Sequence, residues 1–181
     1  QGLAAAKMKS RDDPSTKKDD DEVVVYGVNS GRHELIYNTS MWALALYGSK
    51  GSGKDQFFYP KGIAADPDGN VFVADSGNNR IVHLFNPKKE AKWVKAFDGK
   101  SAADPGLSGP LQVGLTHDGA VYVTDWGNRR VVRFDKTGAI QQTIPGPTKA
   151  TMFENGPSTL AVADGHQRWS HFDDDRFFVC A

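Results

Sequence analysis

Cysteine is almost missing. The chain holds one, Cys180, which excludes an internal disulfide framework and a thiolate zinc cluster and leaves the redox compartment unread. An excess of either charge is missing too, because 22 basic residues face 22 acidic ones for a formal net charge of +0. A protein that binds a polyanion as its main partner usually carries a basic excess, so this balance argues against nucleic acid. No apolar run approaches the roughly 18–20 residues that span a bilayer, and no secretory h-region is visible. No stretch sustains the apolar period of an amphipathic helix.

The chain opens on Gln1 rather than Met, and Gln1 to Glu22 holds five basic and six acidic side chains and no aromatic. Such a segment has too little apolar surface to offset the entropy of ordering, so residues 1–22 are expected to form a flexible charged lead-in. A tether of this kind behind a non-Met start suggests an extracytoplasmic setting, bacterial periplasm or secreted.

From Val23 the texture changes. Short runs rich in Val, Phe, Tyr and Ile, such as Val23–Tyr26, Val71–Ala74, Ile81–Phe85, Val121–Thr124 and Val131–Phe134, alternate with clusters of Gly, Asp, Asn and Pro. Strands of this length with regular turn signals predict an all-β sandwich, barrel or propeller. Internal repetition decides among them. Displaced by 50 positions, Pro60–Phe85 falls on Pro110–Asp135 without a gap, with ten of 26 residues identical. The identities include the turn residues Gly69/Gly119 and Gly77/Gly127 and the strand residues Val71/Val121 and Val73/Val123. Weaker copies flank the pair. A shift of 48 lays Val23–Val25 on Val71–Val73 and Arg32 on Arg80, while downstream Pro157–Ala163 falls on Pro60–Asp66 and Phe177–Ala181 on Val71–Asp75.

Within one repeat, Pro60–Asp66 reads as a first strand entered by a proline that needs no ladder donor there. Pro67–Asn70 has hairpin-turn composition. Val71–Asp75, Arg80–Phe85 and Trp93–Phe97 follow as further strands, and four antiparallel strands make one propeller blade. The pattern carried by Pro60–Ile81 and, more loosely, by Pro110–Val131 resembles the NHL repeat. That resemblance implies a β-propeller of four-stranded antiparallel blades, which in the family number six or seven. The expected layout of 23–181 is a partial blade over 23–47, blades over 48–97 and 98–147, and an incomplete blade over 148–181. About three blades leave the ring incomplete, since closed propellers take roughly 4–8. Further blades are expected from the rest of the protein, a second copy or a partner chain. In the first copy, Gly27 stands where the repeat aspartate is expected.

Several motifs suggest chemistry. The pairs Asp75/Arg80 and Asp125/Arg130 flank equivalent tight turns, where the carboxylate takes up turn amides and the guanidinium bridges it, so they are read as structural. Gly48–Asp55 mimics a phosphate loop, but Asp55 stands where Ser or Thr should hold magnesium and no helix follows, so nucleotide binding is discounted. Asp66–Asn70 resembles part of a calcium loop without its twelve-residue frame and closing Glu, and is read as a plain turn. His166, His171 and the run Asp173–Asp175 lie in the insertion that lengthens the last turn; with no ligand spacing they suggest a partner-contact loop more than a metal site. Asn79, Trp126 and Arg129 occupy turn positions that differ between blades, where partner specificity would be written.

No G-x-S-x-G, supported Cys–His pair or zinc signature is present, and no cofactor is called for. The expected function is a non-enzymatic binding or scaffolding module that presents one propeller face to a protein or glycan. The alternatives are a fragment of a propeller enzyme of lyase or lactonase type, with a metal in its central channel, and single-stranded RNA binding. Histidine and carboxylate on the inner strands would favour the enzyme.

Overall fold

The computed structural model describes residues 2–7, 23–145, 156–163 and 176–180. Three four-stranded antiparallel sheets and a hairpin follow one another along the chain. The first sheet runs β1 (Leu3–Lys7), β2 (Val23–Asn29), β3 (Glu34–Asn38), β4 (Leu44–Tyr47). A linker containing the short parallel pair β5 (Ser49–Lys50) and β6 (Gln56–Phe57) leads to the second, made of β7 (Pro60–Ala65), β8 (Asn70–Asp75), β9 (Arg80–Phe85) and β10 (Lys92–Phe97). The third comprises β11 (Pro110–Leu115), β12 (Val121–Asp125), β13 (Arg130–Phe134) and β14 (Ile140–Pro145), and the hairpin β15 (Thr159–Ala163) with β16 (Arg176–Cys180) begins a fourth. The fold is an all-β propeller whose ring is not closed. No helix among the described residues is long and apolar enough to cross a membrane.

The second and third blades bury both faces, so their central strands read as continuous apolar runs rather than as alternation. Val121 to Asp125 are all buried. One core lies between the first two blades, where Tyr26, Val28, Leu35 and Tyr37 meet Ile63, Val71, Val73 and Val82. A second sets Phe72, Ala74 and Ile81 against Val113, Val121, Val123 and Val132. The innermost strands β1, β7, β11 and β15 lie side by side. Their approach requires glycine at one level: a Cβ on Gly2 would stand 2.6 Å from the Lys61 carbonyl oxygen, and one on Gly62 would stand 2.6 Å from Gln112 Cα.

Two expectations are corrected. Leu3–Lys7 is the inner strand of the first blade, paired from Leu3↔Gly27 to Lys7↔Val23, so that part of the lead-in is ordered and the first blade is complete. The sequence carried the sign, since Gly2-Leu3-Ala4-Ala5 repeats as Gly62-Ile63-Ala64-Ala65. The long insertion at 8–22, outside the described residues, hides it from any single displacement of the chain. The displacement of 48 is also off by two. Pairing sets Asn29 opposite Glu34 as Asp75 is opposite Arg80. Hence Asn29, not Gly27, holds the aspartate position, Glu34 holds the arginine position, and Arg32 falls on Asn78.

Gly62→Ala is expected to destabilise the chain by about 1–3 kcal/mol, because its methyl group meets backbone that cannot turn aside. Urea denaturation checks this, and an unchanged midpoint would contradict the inner-strand packing described.

Candidate partner-contact face

At one end of the blades, the turn between second and third strands meets the linker that enters the same blade. Asp75, fully buried, organises this end. Its Oδ1 accepts the Phe58 amide at 2.7 Å, and its Oδ2 accepts Asn78 Nδ2 and Arg80 Nε, each at 2.8 Å. Arg80 then reaches the linker carbonyls of Ser52, Gly53 and Gln56 at 2.7, 3.1 and 2.9 Å. The third blade repeats the scheme. Asp125 accepts the Ser108 amide at 2.7 Å, Asn128 Nδ2 at 2.8 Å and Arg130 Nε at 2.6 Å, while Arg130 forks onto Asp104 at 2.6 and 2.7 Å. The Arg130 guanidinium holds the Asp104 carboxyl below its usual range, and the same contact raises the arginine further. Both partners are spoken for, so neither pair is free to act on a ligand.

The glycine-rich loop serves the same end. The Gly51 carbonyl accepts from Asn78 Nδ2, and the Ser52 and Gly53 carbonyls accept from Arg80, so the loop's oxygens line an arginine seat. Asp66 caps its own turn, accepting the Asp68 and Asn70 amides at 2.9 Å and Asn70 Nδ2 at 2.7 Å. Among the described residues, no three His, Cys, Asp or Glu converge to hold a metal ion.

A second set of bonds joins each blade to the next. In the first turn Ser30 Oγ donates to the Pro60 carbonyl and His33 Nδ1 accepts the Tyr59 amide at 3.0 Å. In the second turn Ser76 Oγ donates to the Pro110 carbonyl and Asn79 Oδ1 accepts the Gly109 amide at 2.8 Å. Asn79, which is exposed, thus spends its amide oxygen on the next blade. His33, Asn79 and Arg129 share the left-handed conformation at this position, with φ of 61°, 54° and 53°.

At the third junction both latch residues are replaced. Trp126 takes the serine position and Arg129 the histidine or asparagine position. Trp126 is 46% exposed, its indole lying over Gly156, where a Cβ would stand 2.7 Å from Cδ1. Arg129 is exposed beside it. The structure adds a residue that sequence reasoning missed. Tyr59 is 49% exposed and sits at φ 50° in the slot that Gly109 fills at φ 56°. A non-glycine residue in this region is uncommon and strained; the edges of the His33 and Phe58 rings, both 4.8 Å away, hold it. The sign in the sequence was the residue before the repeat proline, which changes from Tyr59 to Gly109 to Gly156. His166, His171 and Asp173–Asp175 lie outside the described residues.

The opposite end carries a groove of about 380 Å³ between the second and third blades, lined by Asp66, Phe72, His83, Thr116, His117 and Lys136 among others. His83 stacks on Phe72 at 4.4 Å and reaches Asn70 Oδ1 at 3.0 Å, while its Nδ1 is buried without a partner. Burial first, then the Lys95 ammonium, press its pKa down to about 4, with Asp66 pulling the other way.

Residues 57–84 match the NHL repeat family model. Among curated proteins no sequence matches. Among solved structures, a streptogramin B lyase is similar at a TM-score of 0.58 and 18% identity over 79% of this chain and 42% of its own. Virginiamycin B lyase from Staphylococcus aureus is similar at 0.57 and 20% identity, over 76% and 41%. A luciferin-regenerating enzyme is similar at 0.55 and 14% identity, over 88% and 57%. At these identities the likeness is one of fold. The chain spans about two-fifths of the length of the two lyases.

Two predictions follow from the geometry. Asp125→Ala strands Arg130 and Asn128 beside a vacated buried position and is expected to destabilise by about 3–5 kcal/mol; an unchanged melting temperature contradicts the brace. His83, held neutral in the fold, takes up its proton more readily when unfolded, so its contribution to stability is intact above pH 6.5 and falls as the pH drops towards 4. The Tm advantage of the native chain over His83→Asn should therefore shrink between pH 7 and 4.5, and an advantage constant with pH contradicts the depressed pKa.

Proposed function

We propose that this NHL-repeat β-propeller segment is a non-enzymatic binding module, and that it presents the end of the propeller carrying Tyr59, Trp126 and Arg129 to a protein or glycan partner. The observation that carries the reading is the change of use at one repeated position. Two turns spend their side chains on latching the next blade, whereas the third puts an exposed tryptophan and an exposed arginine there. Tryptophan, tyrosine and arginine are the side chains that most often dominate the energy of an interface. Tyr59 extends the same rim at a strained position, which is where function is often found.

A fragment of a propeller enzyme is the second reading, favoured by the fold likeness to proteins named as lyases and as a luciferin-regenerating enzyme. Against it weighs the content of the inner strands, which would face a channel metal. Leu3–Lys7, Pro60–Ala65, Pro110–Leu115 and Thr159–Ala163 contain lysines but no histidine or carboxylate.

The test screens the chain on a glycan microarray and against a displayed random-peptide library, then repeats each hit with Trp126→Ala and Arg129→Ala. The expected result is a ligand whose affinity falls at least about tenfold in either variant, that is about 1.4 kcal/mol or more, with Tm unchanged. Ligands that bind both variants as well as the native chain would contradict the assignment of the face.

A further inference from the structure

The outermost strands of the three blades hold equivalent places but are not equally guarded. Such a strand leaves one row of N–H and C=O groups without a ladder partner, and proteins protect the row with lysine, proline or a bulge. In the second blade, β10 carries Lys92 and Lys95 and shifts register between Trp93 and Lys95. In the third, β14 shifts register opposite Arg133 and Phe134 and ends on Pro145. In the first, β4 has none of these devices. Its pairing with β3 is regular from Leu35↔Tyr47 to Asn38↔Leu44, and residues 39–49 include no charged side chain and no proline. The stretch is instead apolar and open to solvent, with Met41 87% exposed, Trp42 92%, Leu44 71% and Leu46 59%.

The direction of the free groups follows from the turn. Bonding alternates along an antiparallel pair, and the Thr39 amide donates to the Ala43 carbonyl at 2.9 Å. Ala43, Ala45 and Tyr47 therefore turn their backbone groups towards β3, and Leu44 and Leu46 turn theirs outward. We propose that β4 pairs antiparallel with β4 of a second copy, about a two-fold axis through Ala45, so that two four-stranded sheets join edge to edge. Leu44 of each copy then lies opposite Leu46 of the other, which uses both outward N–H and both outward C=O groups of each strand. Moving the axis by one residue loses part of this. In one direction Leu46 meets Trp42, whose amide already donates to Ser40 Oγ at 3.2 Å. In the other Leu44 meets Gly48, whose φ of 98° takes it out of the strand. The axis through Ala45 also sets Tyr47 against Ala43 and Ala45 against itself, and it brings no like charges together. A surface that complements itself in this way is what a two-fold interface requires. The edge lies at the far side of the sheet from β1, so the pairing adds no blade to the ring. It rests on no part of the partner-contact reading.

Light scattering over a concentration series is expected to show a monomer–dimer equilibrium. Leu46→Pro removes an outward donor and leaves the bonds to β3 in place. It should raise the dissociation constant of the dimer at least about tenfold, with an unchanged far-UV circular dichroism spectrum. A second measurement reads the register in the folded dimer. Ala45→Cys in a Cys180→Ser background sets two thiols across the axis, where Cα atoms approach to about 4.5 Å, and is expected to give a covalent dimer under mild oxidation. Leu44→Cys in the same background, facing Leu46, is not. A chain that stays monomeric at every concentration overturns the proposal. So does a dimer that Leu46→Pro leaves intact, because the two copies would then meet by another surface.

Discussion

A fully buried carboxylate at the end of the second strand fixes the geometry on which each later feature rests. Asp75 and Asp125 sit where strand gives way to turn, and each gathers an amide from the linker, an asparagine amide and an arginine from the turn. Burying a charge is costly unless it is paired and hydrogen-bonded. Here the carboxylate's own demand for donors draws the linker onto the turn, and the arginine's remaining donors tie down linker carbonyls that would otherwise lack partners. The turn at the end of the second and of the third blade is thereby rigid, and a side chain placed on it is presented at a fixed angle.

Rigidity at that position explains why substitution there changes use rather than fold. The backbone of the turn is left-handed at its fourth residue whether that residue is His33, Asn79 or Arg129. Where the side chain is short and polar it accepts the amide ahead of the next inner strand. Where it is arginine it cannot accept, since a guanidinium has only donors, and the serine that donates to the neighbouring proline carbonyl has become Trp126. The third turn therefore keeps its brace and gives up its latch, and what it gains is exposed aromatic and cationic surface.

The two central blades were legible because no insertion separates them. Ten identities at one displacement hold the turn glycines, the carboxylate, the arginine and the inward valines together, and each of these residues has a physical duty in the fold. The first blade was harder to read for two reasons. The insertion at 8–22 parts its inner strand from the rest, and its brace residues have changed to Asn29 and Glu34, so that Arg32 offered a false anchor two positions away. Asn79 looked variable, and its change to Arg129 alters a bond between blades that only the neighbouring blade's Gly109 amide reveals. Tyr59 was invisible for the converse reason: an aromatic before a proline carries no signal until its backbone is known to occupy a glycine slot.

The displayed turn of the third blade depends on the braces holding the second and third blades as the structure has them. The measurement that bears on this most directly is hydrogen exchange at the Phe58 and Ser108 amides, the two linker N–H groups bound by the buried aspartates. They are predicted to exchange only through global opening, as slowly as the strand amides of Val73 and Val123. Exchange at the rate of an unprotected loop amide would contradict the account, because the carboxylates would then not be holding the linkers in place.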